Sequence, residues 1–268
     1  MFLNAKNLTV SLPEGKMEVI RFGRGSRTLV MLPGLGESIQ SLKGLALPMA
    51  LMYRMFAKEF TVYFLGTRQP VRPGCTTQDM ARDVSDAMEV LGVERADVVG
   101  VSMGGMIAQQ LAASRPEKVG RLVLAVTAPG PNALLEEALG QWESFARKGD
   151  HRGFLDSNVR RIYSEGYYRK NRFLIPITGA LTKPKSYEPF FRQSHACRTH
   201  DAREVLCKIT APTLVIGGEK DQVLGGEASR ELARGIPGAR LHMYEQWGHG
   251  AYEEAKDFNG LVLAFLTE

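Results

Sequence analysis

The sequence has few cysteines and no long apolar run. Its three cysteines, Cys75, Cys197 and Cys207, are too few and too scattered for a disulfide framework, so we expect free thiols in a reducing compartment. The most apolar stretch, LALPMALMYRMF at 45–56, contains a proline and an arginine. It is also shorter than the ~20 apolar residues that a membrane-spanning helix needs. These features argue against a disulfide-stapled protein and against a membrane-spanning one.

Two further signals are missing from the sequence. The first ten residues, MFLNAKNLTV, have no apolar run behind a basic start, so we expect a first strand, no secretory signal and a cytoplasmic protein. The net charge of +5 comes from basic residues that are interleaved with acidic ones. No aromatic RNA-binding motif accompanies them. We therefore expect neither a nucleic acid nor a membrane as partner.

Strand-like and helix-like segments alternate along most of the chain. From residue 61 the order is TVYFL, DMARDVSDAMEVLGV, DVVGV, MGGMIAQQLAASRPEKV and RLVLAV. Such alternation predicts an α/β fold, a parallel sheet with helices on both faces and a binding crevice at the carboxyl ends of the strands. The alternation stops near residue 130 and resumes at APTLVIGGEKD. We expect an α/β core formed by 1–130 and 207–268, with a helical cap at 131–206.

The sharpest local motif is GVSMG at 100–104, which matches G-x-S-x-G between a strand-like run and a helix-like run. Small residues two positions before and after the serine let the strand and the helix approach closely, and this exposes the hydroxyl. A glycine-rich turn with a buried capping serine is the alternative interpretation. The context favours Ser102 as a nucleophile.

A nucleophilic serine requires a base, and the base requires an acid that fixes its tautomer. With this motif the chain order is serine, acid, histidine. Of the five histidines, His249 follows the last strand-like run in a loop with glycines on both sides, so it is the predicted base. Both Glu219 and Asp221 follow the strand TLVIGG. We choose Asp221 because it begins the next loop and its short side chain suits a fixed bond to imidazole.

The tetrahedral intermediate of acyl transfer needs two hydrogen-bond donors for its oxyanion. The N–H of Met103, directly after the serine, is the first candidate. The second is the N–H of Leu35 in the loop after the third predicted strand, where an ordinary Gly/Pro turn is the alternative. Met49, Met52 and Met55 have helical spacing and fit a core better than a binding wall. The candidates for substrate contact are Gly34, Ser38, Met52, Trp142, Arg160 and Arg169.

The predicted cap is locally basic. Residues 147–172 contain eight basic side chains against three acidic ones. The simpler interpretation is a solvated helix face, in which Arg161 must point to water. The alternative is that Arg160 or Arg169 overhangs the crevice and attracts substrates that carry a carboxylate.

Four segments together resemble one family. They are PGLG at 33–36, GVSMGG at 100–105, PTLVIGGEKD at 212–221 and WGHG at 247–250. The chain resembles the capped α/β hydrolases, which include small carboxylesterases, 3-oxoadipate enol-lactonases, cofactor-free haloperoxidases and meta-cleavage-product C–C hydrolases. The resemblance implies an eight-stranded, mostly parallel sheet with a cap after the sixth strand and no metal or organic cofactor.

The sequence thus predicts a serine hydrolase that cleaves a small-molecule carboxylic ester or lactone through an acyl-enzyme. Hydrolysis of a C–C bond in a vinylogous diketone is an alternative within the enzymes. A receptor for a small ligand that has kept the triad is an alternative of another class. We expect a small molecule as the binding partner and either a monomer or a homodimer.

Overall fold

A computed structural model describes residues 2–36 and 41–268. Its centre is a sheet with the strand order β1-β2-β4-β3-β5-β6-β7-β8. In chain order the strands are β1 (Lys6–Leu12), β2 (Gly15–Gly23), β3 (Arg27–Leu32), β4 (Phe60–Leu65), β5 (Ala96–Val101), β6 (Val119–Ala125), β7 (Thr213–Gly218) and β8 (Arg240–Tyr244). β2 runs antiparallel to β1 and β4, and the other neighbours are parallel. The predicted eight-stranded, mostly parallel sheet is confirmed.

Both faces of the sheet are buried because apolar residues follow one another along the central strands. In β3, Leu29 and Met31 pack on one face, and Val30 and Leu32 pack on the other. The helices that cover the Val30 face are α2 (Thr77–Val90), α3 (Met103–Ser114) and α9 (Gly226–Gly235). The helices that cover the Leu29 face are α1 (Ala46–Met52), α10 (Ala251–Glu254) and α11 (Phe258–Thr267).

The chain between β6 and β7 forms only helices. These are α4 (Ala133–Arg147), α5 (His151–Ile162), α6 (Glu165–Asn171), α7 (Ile175–Thr182) and α8 (Glu188–Arg198), and we call 133–198 the helical segment. Asn132, Asp150 and Ser164 begin α4, α5 and α6, since each side chain accepts a hydrogen bond from a backbone N–H in the first turn. The division into a core and a cap at 131–206 stays a prediction.

Parallel strands bring the loops that follow them to one edge of the sheet. Ser102 directly follows β5, Asp221 follows β7 and His249 follows β8. β3 pairs with β5 beside this edge, with Leu32 opposite Gly100. The three residues predicted to act together therefore lie at the same edge.

None of the helices within the described residues combines the length and the hydropathy that crossing a bilayer requires.

Candidate active site

Ser102 lies in a strained turn between β5 and α3. Its backbone has φ 53° and ψ −118°, a conformation that residues other than glycine rarely adopt. The neighbouring glycines allow this turn. A Cβ at Gly100 would lie 2.5 Å from the Gly104 carbonyl oxygen, and a Cβ at Gly104 would lie 2.0 Å from that of Leu32. Only glycine fits at these two positions, which explains the G-x-S-x-G pattern.

The end of β6 braces this strained turn. The Ser102 N–H donates to the Ala125 carbonyl at 2.9 Å. The Thr127 hydroxyl donates to the Ser102 carbonyl at 2.8 Å. Val126, between these two, also has positive φ, 43°. Thr127 was not predicted from the sequence, because its role depends on β6 lying beside β5.

Ser102, His249 and Asp221 form one chain of hydrogen bonds. His249 Nε2 lies 3.0 Å from Ser102 Oγ, and His249 Nδ1 lies 2.8 Å from Asp221 Oδ2. The other carboxylate oxygen, Asp221 Oδ1, accepts from the N–H groups of Val223 at 2.7 Å and Leu224 at 2.9 Å. Asp221 and His249 are both buried. The structure thus brings together the three residues that the sequence singled out.

The surroundings of Asp221 keep it ionised. Burial by itself would raise the pKa of this carboxyl. The charge and hydrogen bond of His249, with the backbone N–H groups of Leu224 and Val223, outweigh burial and hold the pKa below its ordinary value. An ionised Asp221 favours the tautomer with the proton on His249 Nδ1. The Nε2 atom is then free to accept the serine proton.

Glu219, the other carboxylate after β7, is engaged elsewhere. Its side chain forms an ion pair with Arg230 of α9. The loops that carry the acid and the histidine are joined by backbone hydrogen bonds, in which Lys220 donates to Trp247 at 3.1 Å and Glu219 donates to Tyr244 at 3.0 Å. These bonds hold the Asp221 loop and the His249 loop together.

A cavity of about 410 Å³ opens beside Ser102 and His249. Gly34, Leu35, Met52 and Trp142 line it, and Ser38 lies outside the described residues. A Cβ at Gly34 would lie 3.4 Å from Ser102 Cβ, so this loop passes close to the serine. Met103 is buried at the start of α3.

The methionine stripe does not form a core. Met52 and Met55 are 57% and 48% exposed, and Met49 and Met52 line the cavity. The expectation that this stripe packs in the core is therefore corrected. The reason is that α1 turns Ala46 and Ala50 to the core, so that Met49 is only half-buried beside them and Met52 lies at the cavity, while Met55 lies beyond the end of the helix.

The structure also corrects the expectation for the arginines of the helical segment. Arg160 and Arg169 are not among the residues that line the cavity at Ser102. Arg160 pairs with Asp156 at 2.7 Å, and Arg169 pairs with Glu165 at 2.7 Å, so each bonds within its own helix. Arg161 was expected to face water, but its side chain is only 16% exposed. It is covered because α4 packs beside α5 and offers it acceptors from Glu137 and Gln141.

Several polar residues of the cavity were not predicted from the sequence. Asn158, Tyr163, Tyr252 and Glu253 all line it. The Tyr163 hydroxyl donates to Glu253 Oε2 at 2.7 Å. Desolvation raises the pKa of the Glu253 carboxyl above its ordinary value, although hydrogen bonds from Tyr163 and Tyr252 act in the opposite direction. The one available signal was the acidic pair just after the WGHG segment.

Among the described residues that line the cavity there is no lysine and no arginine, and His249 is the single side chain there that can carry a positive charge. Residues 37–40, which the structure does not describe, contain neither lysine nor arginine. Within the described residues there is also no group of three or more His, Cys, Asp or Glu side chains arranged to hold a metal ion. Among the described lining residues, the acidic or basic side chains are Glu253 and His249, and His249 is paired with Asp221 behind it.

Comparison with known proteins agrees with this geometry. A family model described as alpha/beta hydrolase fold matches residues 28–156, and one described as TAP-like protein matches residues 192–268. The 2-hydroxymuconate semialdehyde hydrolase of Pseudomonas putida is 33% identical over 223 residues, which cover 76% of this chain and 75% of that protein. The chain belongs to the α/β-hydrolase fold family.

Other relatives in the family extend over more of the chain. The 2-hydroxy-6-oxononadienedioate/2-hydroxy-6-oxononatrienedioate hydrolase of Cupriavidus pinatubonensis is 28% identical over 257 residues, covering 91% of this chain and 88% of that protein. The crystal structure of the enol-lactonase from Burkholderia xenovorans LB400 shares the fold, with a TM-score of 0.83, 23% identity and coverage of 97% and 100%. The predicted α/β-hydrolase family is thus confirmed, and the relatives support the enzyme class at the level of a hydrolase.

Proposed function

We propose that the protein is a serine hydrolase that cleaves a small, uncharged carboxylic ester or lactone through an acyl-enzyme. The observation that carries this proposal is the hydrogen-bonded chain Asp221–His249–Ser102, which ends at an apolar cavity. In the proposal, residues 131–206 act as the cap that shapes the cavity. The binding partner is the small-molecule substrate.

The proposed reaction has two halves. Ser102 Oγ attacks the ester carbonyl while His249 Nε2 takes its proton, and the imidazolium, stabilised by Asp221, returns that proton to the leaving alkoxide. Water then attacks the acyl-enzyme by the same route, with His249 again as base. The N–H groups of Leu35 and Met103 are the proposed donors to the oxyanion, a contribution on the order of 3 kcal/mol for each donor.

Charge in the cavity supports an uncharged substrate. A bound carboxylate would be desolvated without a lysine or arginine to pair with among the described lining residues. It would also lie in the same cavity as the Glu253 carboxyl, which repels a second negative charge once ionised. Apolar side chains of α4, α5 and α8, among them Trp142, Phe154 and Phe190, form part of the wall, which suits an alkyl or aryl group.

Hydrolysis of a C–C bond is the second candidate function. It is supported by the names of the relatives, several of which are hydrolases of 2-hydroxy-6-oxo dienoates or dienedioates. Those names denote substrates with one or two carboxylates. The described lining of the present cavity is mostly apolar, lacks lysine and arginine and includes the Glu253 carboxyl, and this favours the ester over such an acid.

A substrate panel tests the proposal. Purified protein is assayed with neutral p-nitrophenyl esters of increasing acyl length, with lactones and with ring-fission diketones, while a fluorophosphonate probe reports serine reactivity. We expect labelling of Ser102 and the highest kcat/KM for a neutral ester or lactone. A highest kcat/KM for the diketones would establish the C–C reaction instead. Tight ligand binding with negligible turnover of every class would indicate a receptor.

A further inference from the structure

The helical segment carries an apolar surface that no part of the site uses. Phe173, Ile177 and Leu181 are 67%, 57% and 81% exposed, and Leu174 beside them is 39% exposed. Phe173, Ile177 and Leu181 are spaced four residues apart. Ile177 and Leu181 therefore share one face of α7. The opposite face, with Ile175 and Gly179, is buried toward α5.

Exposed basic residues flank this apolar surface on both sides in the sequence. Residues 166–187 contain five basic side chains and no acidic one. All five are exposed, and they are Arg169, Lys170, Arg172, Lys183 and Lys185. Arg169 pairs with Glu165, whereas no described carboxylate lies within ion-pair distance of the other four. We call the four apolar and five basic residues the cationic apolar patch.

The chemistry of this patch selects one kind of partner. A second copy docked through the same surface would place five cations against five cations, because a two-fold interface pairs a patch with itself. A nucleic acid would satisfy the cations but would leave Phe173, Ile177 and Leu181 in water. The surface of an anionic bilayer offers both phosphate charges and an apolar layer directly beneath them.

We propose that the cationic apolar patch binds the surface of anionic lipid bilayers, which departs from the expectation, drawn from the sequence, that no membrane is a partner. Phe173, Leu174, Ile177 and Leu181 enter the boundary between headgroups and acyl chains, and the basic side chains contact the headgroup phosphates. The protein then lies on the membrane surface, with α7 parallel to it. This binding is independent of the proposed hydrolysis, because none of these nine residues lines the cavity at Ser102.

Vesicle flotation tests the proposal with the whole protein. We expect binding to vesicles of phosphatidylglycerol mixed equally with phosphatidylcholine, and no binding to phosphatidylcholine alone. Raising salt from about 0.05 M to about 0.5 M should release most of the protein, because exposed charges are then screened. Labelling of Ser102 by the fluorophosphonate, measured on the same samples, shows that each variant is folded and separates this test from that of the hydrolysis.

Two double variants locate the binding surface. Lys183→Ala with Lys185→Ala, and Phe173→Ser with Leu181→Ser, should each weaken vesicle binding roughly tenfold or more. The matched controls are Lys208→Ala with Lys256→Ala, exposed lysines elsewhere, and Val90→Ser with Leu241→Ser, exposed apolar residues elsewhere. The controls should bind as the wild type does.

Three results would overturn the proposal. One is equal binding to anionic and neutral vesicles, or to neither. Another is a loss of binding in the control variants as large as that in the patch variants. The third is binding to duplex DNA that depends on Lys183 and Lys185 but not on Phe173 and Leu181, which would identify a nucleic-acid surface instead.

Discussion

Ser164 is bonded twice to Glu254. Its backbone N–H donates to Glu254 Oε2 at 2.9 Å, and its hydroxyl donates to Oε1 at 2.6 Å. Nearby, the Gly250 N–H donates to the Ile162 carbonyl. The junction of α5 and α6 is therefore tied to the residues that follow His249, so the position of the helical segment and that of the histidine loop depend on each other.

This tie predicts the effect of Ser164→Ala. The change removes the hydroxyl bond to Glu254 and also the N-cap of α6, which together should lower the free energy of unfolding by about 1–2 kcal/mol. Urea denaturation followed by fluorescence measures it. Ser164→Thr keeps a hydroxyl and should recover most of the loss. Equal stability of the alanine and threonine variants would show that these bonds contribute little.

Thr127 should matter for catalysis although it does not touch the cavity. Thr127→Val keeps the shape but removes the donor to the Ser102 carbonyl, so the strained turn loses one of its two braces. We expect kcat and the rate of fluorophosphonate labelling to fall roughly fivefold, as the loss of about 1 kcal/mol implies, with only a small change in Tm. Thr127→Ser should behave as the wild type, and an unchanged labelling rate in Thr127→Val would refute the role of this bond.

The sequence predicted the strands and the three central residues of the site because those signals are local. β-rich runs, the glycines around Ser102 and the glycines around His249 each reflect backbone needs of a few consecutive residues. Thr127 and Arg161 were missed or misjudged because their partners are distant in sequence. Arg161 meets Glu137 of another helix, and that contact exists only after α4 packs on α5.

Glu253 should select against negatively charged substrates. Glu253 is exposed, and solvent weakens its charge, so in wild type we expect a neutral ester to exceed its carboxylated isostere in kcat/KM by about threefold, the size of a repulsion of about 0.6 kcal/mol. Because the pKa of Glu253 is raised, this preference should grow as pH rises through a value above that of an ordinary glutamate. Tyr163, Tyr252 and Glu254 are the titratable groups around it.

Glu253→Gln should reduce this preference and remove its pH dependence, since the amide carries no charge. Glu219→Gln, whose carboxylate pairs with Arg230 away from the cavity, serves as the control and should keep the preference. If Glu253→Gln discriminated between the two esters as strongly as the wild type does, the charge of Glu253 would have no part in selectivity.

His200 should make stability depend on pH. Burial lowers the pKa of His200 to about 4. The charge of Asp201 and a hydrogen bond to the Ala128 carbonyl raise this pKa, but by less than burial lowers it. The Thr77 hydroxyl is hydrogen-bonded to His200 Nδ1 at 2.9 Å. As pH falls below the unfolded-state pKa of ~6.5, the unfolded chain binds a proton that the folded chain excludes. The stabilisation is complete above that pH and is lost progressively down to about 4.

Urea denaturation across this range checks the prediction. His200→Gln should flatten the pH dependence of the unfolding free energy by up to about 3 kcal/mol between its ends, compared with wild type. The control, His195→Gln, changes an exposed histidine and should leave the dependence as it is. A wild-type curve parallel to that of His200→Gln would contradict the assignment.

Intact-mass spectrometry of protein quenched during turnover tests the central claim most directly. With a neutral p-nitrophenyl ester, the wild type should show a mass increase equal to the acyl group, located by peptide mapping on Ser102. Ser102→Ala should show no adduct and a kcat lower by roughly 10⁶, since the serine and its base act as a unit. An acyl adduct on another residue, or Ser102→Ala turning over at a rate near that of the wild type, would contradict the account.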